Sequence, residues 1–411
     1  MTQTLSSTPQ LPTDPMTGAF PGHVCMHVLG IARTDRRVLR SATALVKAGM
    51  AVSIVDVEDQ PTCPREEDFQ GIWLKHVRMP SWFIPTRFKP WFLVKAFQVF
   101  CFGLFALLRT SADVYHAHDM MALPACYVAA RLRRKPLIFD SHELPLDWPQ
   151  LTRWRRLHAL ATSMLTYLMP RCAGVITVSP PIAEELHRCY GGPVPTLIRN
   201  VPEYQTRVPN DRLRSHLGLS PQTRIALYQG NIQEDRGLDR LIYSARFLDP
   251  DTVIVMMGRN VMQMDLQALI AQEGVEDRVK IIPPVPYSEL LEWTASADIG
   301  LLILTGSYSL SIRMCLPNKL FEYLMAGLPV LASSLDAVAS LLNTYDAGII
   351  VPSLEPEEVG RAVNALLSDS AALSRMSKNA LAAAQCDLRW DVESQRLLQL
   401  YVHVLDNSHK N

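Results

Sequence analysis

The segment CLPNKLFEYLMAGLPVLAS, from Cys315 to Ser333, carries a complete helix-to-strand unit. Its first residues form a loop that ends at Pro317, and the helix that follows has Lys319 and Glu322 in its first turns. An acidic residue near a helix N-terminus is favoured by the helix dipole. Gly327 ends the helix, and the apolar run PVLAS is predicted to be a strand. Such a unit is typical of a parallel α/β domain.

The same alternation of short apolar runs and helical segments extends in both directions along the chain. The strand candidates of the first half read HVCMHVL, AVSIVDV, ADVYHAH, PLIFDSH and GVITVS. Those of the second half read RIALYQG, TVIVMMG, RVKIIPP, DIGLLIL, PVLASS and GIIVP. Each half has about six βα units, enough for one doubly wound sheet. The sequence therefore predicts two Rossmann-like domains that face each other across a cleft.

The boundaries of the two domains follow from the pattern of elements. Residues 1–22 are rich in Ser, Thr and Pro, lack the apolar core of a signal peptide and are expected to be a mobile leader. The first domain is predicted over residues 23–202, because TLIRNVPEYQTRVPND follows its last strand as a linker. The second domain is predicted over residues 203–387. The C-terminal helix of residues 388–411 is expected to pack back on the first domain.

Composition excludes several classes of protein. The 411 residues are 48% hydrophobic and 19% charged, which fits a globular chain and not a disordered one. Forty Lys and Arg balance forty Asp and Glu, so net charge predicts no nucleic-acid partner. The eight Cys form no C-x-x-C pair, so we interpret them as reduced thiols and expect a cytoplasmic location.

One apolar segment raises the question of a membrane. The run from Pro90 to Leu108 is interrupted by Lys95 and Gln98, and its charge-free part is shorter than the ~20 residues of a spanning helix. A buried helix is the first interpretation. The alternative is peripheral contact with the inner face of the membrane through residues 81–92, where aromatic residues mix with Arg and Lys.

The Cys315–Ser333 segment resembles the donor motif of Glycosyltransferase family 4, enzymes of the GT-B fold, which place Pro-x-Lys-x-x-Glu before Gly-x-Pro-Val. The resemblance implies that Glu322 binds the ribose hydroxyls of the donor nucleotide, a task suited to a carboxylate acceptor. Pro317, Asn318 and Lys319 are then donor-binding residues of the same loop. The family carries a second Glu eight positions earlier, beside the donor sugar, where this chain has Met314. The contact with the sugar would need another group, such as backbone amides of residues 305–317.

A second motif, YQGNIQEDRGLDRLI, places a strand before Gly230 and a helix after Gly237, an arrangement that suits phosphate. The family binds the donor diphosphate here with an Arg and a Lys. This chain has Asn231 and Arg236 at those positions, so Arg236 is the predicted diphosphate ligand, with Lys319 as a second cation.

Two further strand ends of the second half are predicted to face the donor. Gly258 and Arg259 follow TVIVMMG, where a turn without a binding role is an equal alternative for Arg259. By resemblance, the turn near Val285 touches the nucleotide base.

In the first half, polar residues cluster after two consecutive strands, DVYHAHD and PLIFDSHE. Their resemblance to the family's D-x-x-H-x-H-D pattern implies that His142 lies near the reacting sugar and that Asp119 lies on the acceptor side. His118 and Glu143 are predicted to lie on the acceptor side too. The three histidines of these segments, His116, His118 and His142, lack a clear metal-ligand spacing, so no metal is predicted.

The resemblance implies a retaining, metal-independent glycosyltransferase that needs no cofactor besides its nucleotide-sugar substrate. We expect a UDP- or GDP-linked donor and a glycan or lipid-linked acceptor in surface polysaccharide or glycoconjugate synthesis. A nicotinamide enzyme is not expected, because Gly30 is not followed by the rest of a G-x-G-x-x-G motif. Two alternatives stay open, a nucleotide-sugar epimerase of the same fold and a binder of sugar nucleotides without turnover.

Overall fold

The structure is a computed structural model that describes residues 22–58, 63–78, 89–147, 154–233, 236–261, 265–305 and 309–410. The strands are β1 His23–His27, β2 Ala51–Val57, β3 Glu66–Phe69, β4 Ile72–Val77, β5 Val114–His118, β6 Leu137–Ser141, β7 Gly174–Thr177, β8 Thr196–Leu197, β9 Arg224–Gln229, β10 Thr252–Met257, β11 Val279–Ile282, β12 Ile299–Leu302, β13 Val330–Ala332 and β14 Gly348–Ile350. The helices are α1 Arg36–Lys47, α2 Lys89–Leu108, α3 Asp119–Arg133, α4 Arg155–Leu168, α5 Pro180–Tyr190, α6 Arg212–Leu217, α7 Leu238–Ser244, α8 Leu266–Glu273, α9 Leu290–Ala295, α10 Leu310–Met314, α11 Asn318–Met325, α12 Asp336–Tyr345, α13 Pro356–Ser368, α14 Ser370–Cys386 and α15 Trp390–Lys410.

The first domain is built on one sheet with the strand order β3-β4-β2-β1-β5-β6-β7-β8. All its neighbouring strands are parallel except β3 and β4, which form an antiparallel hairpin. Sequence analysis did not predict this hairpin, because Glu66–Phe69 is a polar edge strand without an apolar run. Its one local signal is the two-residue turn Gln70-Gly71, in which both φ angles are positive, at 58° and 82°.

The second domain has the strand order β11-β10-β9-β12-β13-β14, and every pair is parallel. This is the doubly wound order, in which successive strands are added on one side of β9 up to β11 and on its other side from β12 onward. Ligands of such sheets bind outside the carboxyl ends of the strands at that switch point. The predicted fold class, two parallel-sheet α/β domains, is therefore confirmed, and the ends of β5, β6 and β9 are the places to examine for chemistry.

The C-terminal helix α15 leaves the second domain and packs against α1 and β8 of the first. A buried ion pair joins it there: the Arg199 Nε atom lies 2.6 Å from Glu393 Oε1, and the Glu393 side chain is 0% exposed. The Glu393 carboxylate also accepts the backbone N–H of Arg199 at 3.0 Å. The two domains are thus linked by the 203–211 segment and by this returning helix.

Helix α2 is not wholly buried, although a buried helix was the first interpretation of its sequence. Leu107 belongs to the core, whereas Val94, Phe97, Phe102 and Phe105 are exposed. Of the predicted membrane contact, residues 81–88 and the side chains up to Phe92 lie outside the described part of the chain. Among the helices that the structure describes, none has the length and apolar character needed to cross a bilayer.

Candidate active site

A histidine–aspartate cluster lies at the carboxyl ends of β5 and β6. His142 follows β6, and its Nδ1 atom lies 3.2 Å from Asp119 Oδ2. The backbone N–H of His142 also donates to Asp119 Oδ1 at 3.2 Å. Asp119 has a φ angle of 64°, a left-handed conformation that Asp tolerates better than most residues. The carboxylate is thereby turned back toward the neighbouring strand, so the structure brings together the two residues predicted to be catalytic.

A buried ion pair supports this cluster from below. The Arg37 guanidinium donates to both carboxylate oxygens of Asp140, at 2.9 and 2.7 Å. Asp140 in turn lies 3.5 Å from both His118 Nδ1 and His142 Nε2. Sequence analysis missed both residues, although Asp140 lies within the quoted segment PLIFDSH, two residues before His142.

The charges of this cluster set the protonation of its members. Burial raises the pKa of Asp140, but Arg37 and His142 outweigh it and hold that pKa well below its usual range. Burial lowers the pKa of His142, yet Asp140 and Asp119 more than offset this, so the pKa of His142 is raised. For His118, burial dominates and the pKa is lowered. His142 is therefore the ring of the cluster that keeps a positive charge to the highest pH.

Two groups of metal-ligand type occur among the described residues, both in the first domain. One comprises His116, His118 and Asp140, with one ligand atom from each within 4.8 Å of the others. There the guanidinium of Arg37 already neutralises Asp140. The other comprises Glu58, Cys63 and His76, into which Arg33 inserts, 3.0 Å from Glu58 Oε2. In each group, the carboxylate is thus paired with an arginine cation.

On the other side of the cleft, Glu322 lies in the first turns of α11, as the sequence predicted. Gln229, the last residue of β9, donates from Nε2 to Glu322 Oε2 at 2.6 Å. Burial raises the pKa of Glu322, while Gln229, Arg36 and Arg40 act in the lowering direction without cancelling it. Glu322 also lines a pocket whose other walls include Pro202, Tyr287 and Thr294.

The two predicted donor glycines bring backbone segments close together. A Cβ atom on Gly258 would lie 1.7 Å from the Gly230 carbonyl oxygen, so no larger residue fits there. Gly230 has a φ angle of 124° and borders Lys319, whose Nζ atom lies 3.7 Å above the Tyr228 ring. The predicted cation Lys319 therefore stands directly beside the Gly230 turn.

Other predicted donor residues have less specific surroundings. Asn231 is exposed, and its backbone oxygen accepts a hydrogen bond from the hydroxyl of Tyr228 at 2.6 Å. The carbonyl of Arg259 accepts from Ile232 at 2.9 Å. Val285 is half-buried, Asn318 begins α11, and Pro317 precedes that helix in an extended conformation. The surroundings of these residues fit an ordinary turn as well as a contact with the donor.

Contacts across the cleft bring the two sets of residues face to face. Desolvation and Asp119 raise the pKa of Glu143, while His142 and, from the second domain, Arg236 act to lower it. Arg236 is thus within electrostatic reach of the residues that follow β6. Nearby, the Ser179 hydroxyl donates to the carbonyl of Met314 at 2.6 Å. The residue that replaces the family's second Glu is therefore anchored to the first domain through its backbone.

Tyr287 forms a second contact between the domains, which sequence analysis did not predict. The Arg36 guanidinium lies 3.4 Å above the Tyr287 ring, and Arg40 donates to its hydroxyl at 2.9 Å. Both arginines come from α1 of the first domain, and both act to lower the pKa of Glu322. Helix α1 thereby closes the end of the cleft next to the Glu322 pocket.

Comparisons with known proteins agree with this architecture. A sequence model of Glycosyltransferase Family 4 matches residues 34–202, and one of Glycosyl transferases group 1 matches residues 209–382. A D-inositol 3-phosphate glycosyltransferase of Xylanimonas cellulosilytica is 26% identical over an alignment of 314 residues. The alignment covers 70% of this chain and 71% of that protein.

Solved structures show the same fold at low sequence identity. The sucrose-phosphate synthase of Thermosynechococcus elongatus superposes with a TM-score of 0.73 at 16% identity, covering 94% of this chain and 99% of that one. Anabaena HepE, solved in complex with UDP-glucose, superposes with a TM-score of 0.66 at 16% identity, covering 93% of this chain and 99% of that one.

Proposed function

We propose that the chain moves a sugar from a UDP- or GDP-linked donor to a glycan or lipid-linked acceptor with retention of configuration. The premise is that the chain belongs to the glycosyltransferases of family 4 and group 1. The observation that supports this best is that Arg236, in the second domain, lies close enough to Glu143, the residue after His142, to act on the pKa of Glu143. A diphosphate held by Arg236 would have its sugar directed at the first-domain cluster. The product would belong to a surface polysaccharide or glycoconjugate.

Each side of the cleft has a defined task in this proposal. Arg236 and Lys319 neutralise the charge that develops on the departing diphosphate, an interaction strengthened in a site from which water is excluded. The acceptor hydroxyl attacks from the face that the diphosphate leaves. His142 stays protonated to a higher pH than an ordinary histidine, and its positive charge beside the sugar orients a hydroxyl of the donor or acceptor. Asp119 holds the His142 ring in place, and Glu143 lines the acceptor side. His118, predicted to lie on that side too, is buried and instead contacts His142 from the interior.

The decisive experiment is a matrix of donors and acceptors. UDP- and GDP-sugars are each incubated with D-inositol 3-phosphate, with an oligosaccharide and with a lipid-linked sugar, and release of nucleoside diphosphate is measured. The first acceptor is included because relatives of this chain are named D-inositol 3-phosphate glycosyltransferases. Release that requires an acceptor supports transfer. Epimerised nucleotide sugar without an acceptor supports the epimerase alternative, and binding without any conversion supports a non-catalytic binder.

Replacing Glu322 by alanine is expected to weaken binding of the donor nucleotide. The substitution removes the hydrogen bonds that the Glu322 carboxylate would accept from the ribose hydroxyls. Their loss is worth about 1.5–3 kcal/mol, or roughly a tenfold to 150-fold rise in Kd. Isothermal titration with UDP and GDP measures it. Glu358→Ala, on the surface of α13, is the control and should leave Kd unchanged. An unchanged Kd in a folded Glu322→Ala protein would contradict the assignment.

Transfer is expected to continue in the presence of EDTA. The proposal assigns the charge of the diphosphate to Arg236 and Lys319, so no divalent cation has to bridge it. The measurement is the rate of nucleoside diphosphate release before and after chelation, with added Mg²⁺ or Mn²⁺ as the control. Loss of activity in EDTA and its return with either ion would show that the mechanism depends on a metal.

A lipid-linked acceptor would require contact with a membrane surface, and α2 offers one. Phe97 and Phe105 are 65% and 56% exposed, and the Arg109 guanidinium lies 4.4 Å from the Phe105 ring centre. Aromatic rings beside a cation are typical of interfacial helices. Vesicle co-sedimentation is expected to favour anionic over neutral lipid and to fall in the Phe97→Ser, Phe105→Ser double variant. Phe247→Ser, which removes an exposed aromatic of the second domain, should have no effect. Absence of binding to both lipids would contradict the contact.

A further inference from the structure

The C-terminal helix α15 inserts a hydroxyl group beneath the candidate active site. Tyr401 is completely buried, and its hydroxyl oxygen lies 2.7 Å from Nδ1 of His116, a residue 285 positions earlier in the chain. His116 is itself fully buried on β5, two residues before His118. A side chain that follows the whole second domain in sequence is thus bonded to the innermost histidine of the first-domain cluster.

The direction of this hydrogen bond follows from counting donors and acceptors. The Nε2 atom of His116 has no hydrogen-bond partner among the described residues. If Tyr401 donates to Nδ1, a single N–H is left unpaired. If His116 donates instead, both the tyrosine O–H and the Nε2 lone pair are left unpaired, which costs more in a buried site. Tyr401 is therefore the donor. The pKa of His116 is lowered well below its usual value by burial, so the ring that accepts is neutral.

His116 passes this constraint to the ring above it. The rings of His116 and His118 stack with centroids 4.2 Å apart and an interplanar angle of 23°. His118 Nδ1 lies 3.2 Å from His142 Nε2 and 3.5 Å from Asp140 Oδ2. The orientation of the His118 ring is thus fixed by its stacking on His116 and by its contacts with Asp140 and His142. Any tilt of His116 changes the distance from His118 to His142.

We propose that Tyr401 is a positioning residue for the transfer reaction. Its hydroxyl fixes the tautomer and tilt of His116, His116 supports the ring of His118, and His118 keeps His142 next to Asp140. This inference rests on the proposed role of His142. It adds that helix α15 determines the geometry and charge of the residue that meets the sugar.

The test is Tyr401→Phe, which removes the hydroxyl and keeps the ring. Turnover is expected to fall about tenfold, because an ångström of displacement at a reacting group has effects of this order or larger. The KM for the donor should stay within about twofold, since the donor residues belong to the other domain. The assay is release of UDP or GDP with the donor and acceptor that the wild-type protein uses in the matrix above.

A second readout requires no substrate. The pKa of His142 is raised by Asp140 and Asp119, so displacement of the ring from Asp140 should return that pKa toward its ordinary value. NMR titration of histidine-labelled protein is expected to show a lower His142 pKa in Tyr401→Phe. The falling limb of the pH profile of kcat should move to lower pH by the same amount. A loss of packing elsewhere in the protein would produce neither shift.

Tyr115→Phe is the matched control. Tyr115 is also completely buried, is the neighbour of His116 on β5, and donates its hydroxyl to the Thr110 carbonyl at 3.0 Å. It faces the opposite side of the sheet from His116. The same chemical change at this position should lower the melting temperature comparably and leave kcat and the His142 pKa unchanged.

His116→Phe tests whether Tyr401 acts through His116 and serves if Tyr401→Phe is too unstable to purify. This change keeps an aromatic ring under His118 but removes Nδ1. The double variant should lose no more activity than His116→Phe alone, because both changes break the same connection. Additive losses would overturn the proposed route.

The outcomes separate this inference from the proposed function. If His142→Ala abolishes turnover while Tyr401→Phe matches Tyr115→Phe in kcat and in the His142 pKa, the positioning role is wrong and the role of His142 stands. If Tyr401→Phe shifts the His142 pKa but His142→Ala keeps full turnover, the proposed function of His142 fails and the positioning role in catalysis fails with it.

Discussion

His142→Ala is expected to lower turnover by roughly a hundredfold to a thousandfold, the usual effect of removing one preorganised polar group that acts in the transition state. The donor Kd should change little, because the proposed nucleotide ligands Glu322 and Arg236 lie in the opposite domain. An interaction made mainly in the transition state contributes to kcat and not to substrate binding. Steady-state kinetics together with nucleotide titration measure the two effects separately.

The pH dependence of wild-type turnover gives an internal check. His142 has a pKa raised by Asp140 and Asp119 despite its burial, so it stays protonated to a higher pH than an ordinary histidine. Activity that requires the protonated ring is present below this raised pKa and is lost as the pH rises through it. His142→Ala should lack this limb. If the variant keeps wild-type turnover and the same profile, His142 has a structural role only.

Arg199→Met is expected to lower the free energy of unfolding by about 3–5 kcal/mol, since it leaves the buried Glu393 carboxylate without its closest cation. Arg396 also reaches Glu393, at 2.8 Å, but is partly exposed and offsets only some of the loss. The corresponding drop in melting temperature is about 6–20 °C for a domain of this size. Calorimetry is the suitable measurement, because a two-domain chain can unfold in more than one step.

A matched control is Arg212→Met, which breaks an exposed pair. The side chains of Arg212 and its partner Glu289 are 37% and 40% exposed. Exposed ion pairs contribute about 0–1 kcal/mol, so the melting temperature should hardly change. Equal losses in the two variants would mean that burial of the Arg199–Glu393 pair does not determine its contribution, and that α15 is retained by apolar packing alone.

The parts of the molecule that sequence analysis predicted are those encoded locally. Alternation of apolar runs and helical segments specifies parallel strands, and residues that follow neighbouring strands must meet at one edge of a sheet. His142 and Asp119 could be placed side by side for that reason, although their residues are separated by a whole βα unit. Glu322 could be placed because its helix begins and ends within a single short motif.

The residues that sequence analysis missed depend on chain segments that meet only after folding. Arg37 and Asp140 are 103 residues apart, and Arg199 and Glu393 are 194 apart. In each case one residue by itself looks like an ordinary charged residue in a helix or strand. Its burial, and hence its need for a partner, is decided by the packing of other elements. The β3–β4 hairpin was missed for a related reason, since an edge strand needs no apolar run.

The return of α15 to the first domain has a consequence for how the protein is made. Domains generally fold as they emerge from the ribosome, at about 5–20 residues per second. The first domain, however, lacks the partners of Arg199 and His116 until Trp390–Lys410 has been synthesised, about 10–40 seconds after residue 202. During that interval a nascent chain carries an uncovered groove along α1 and β8. Premature termination before residue 390 would leave this surface uncovered permanently.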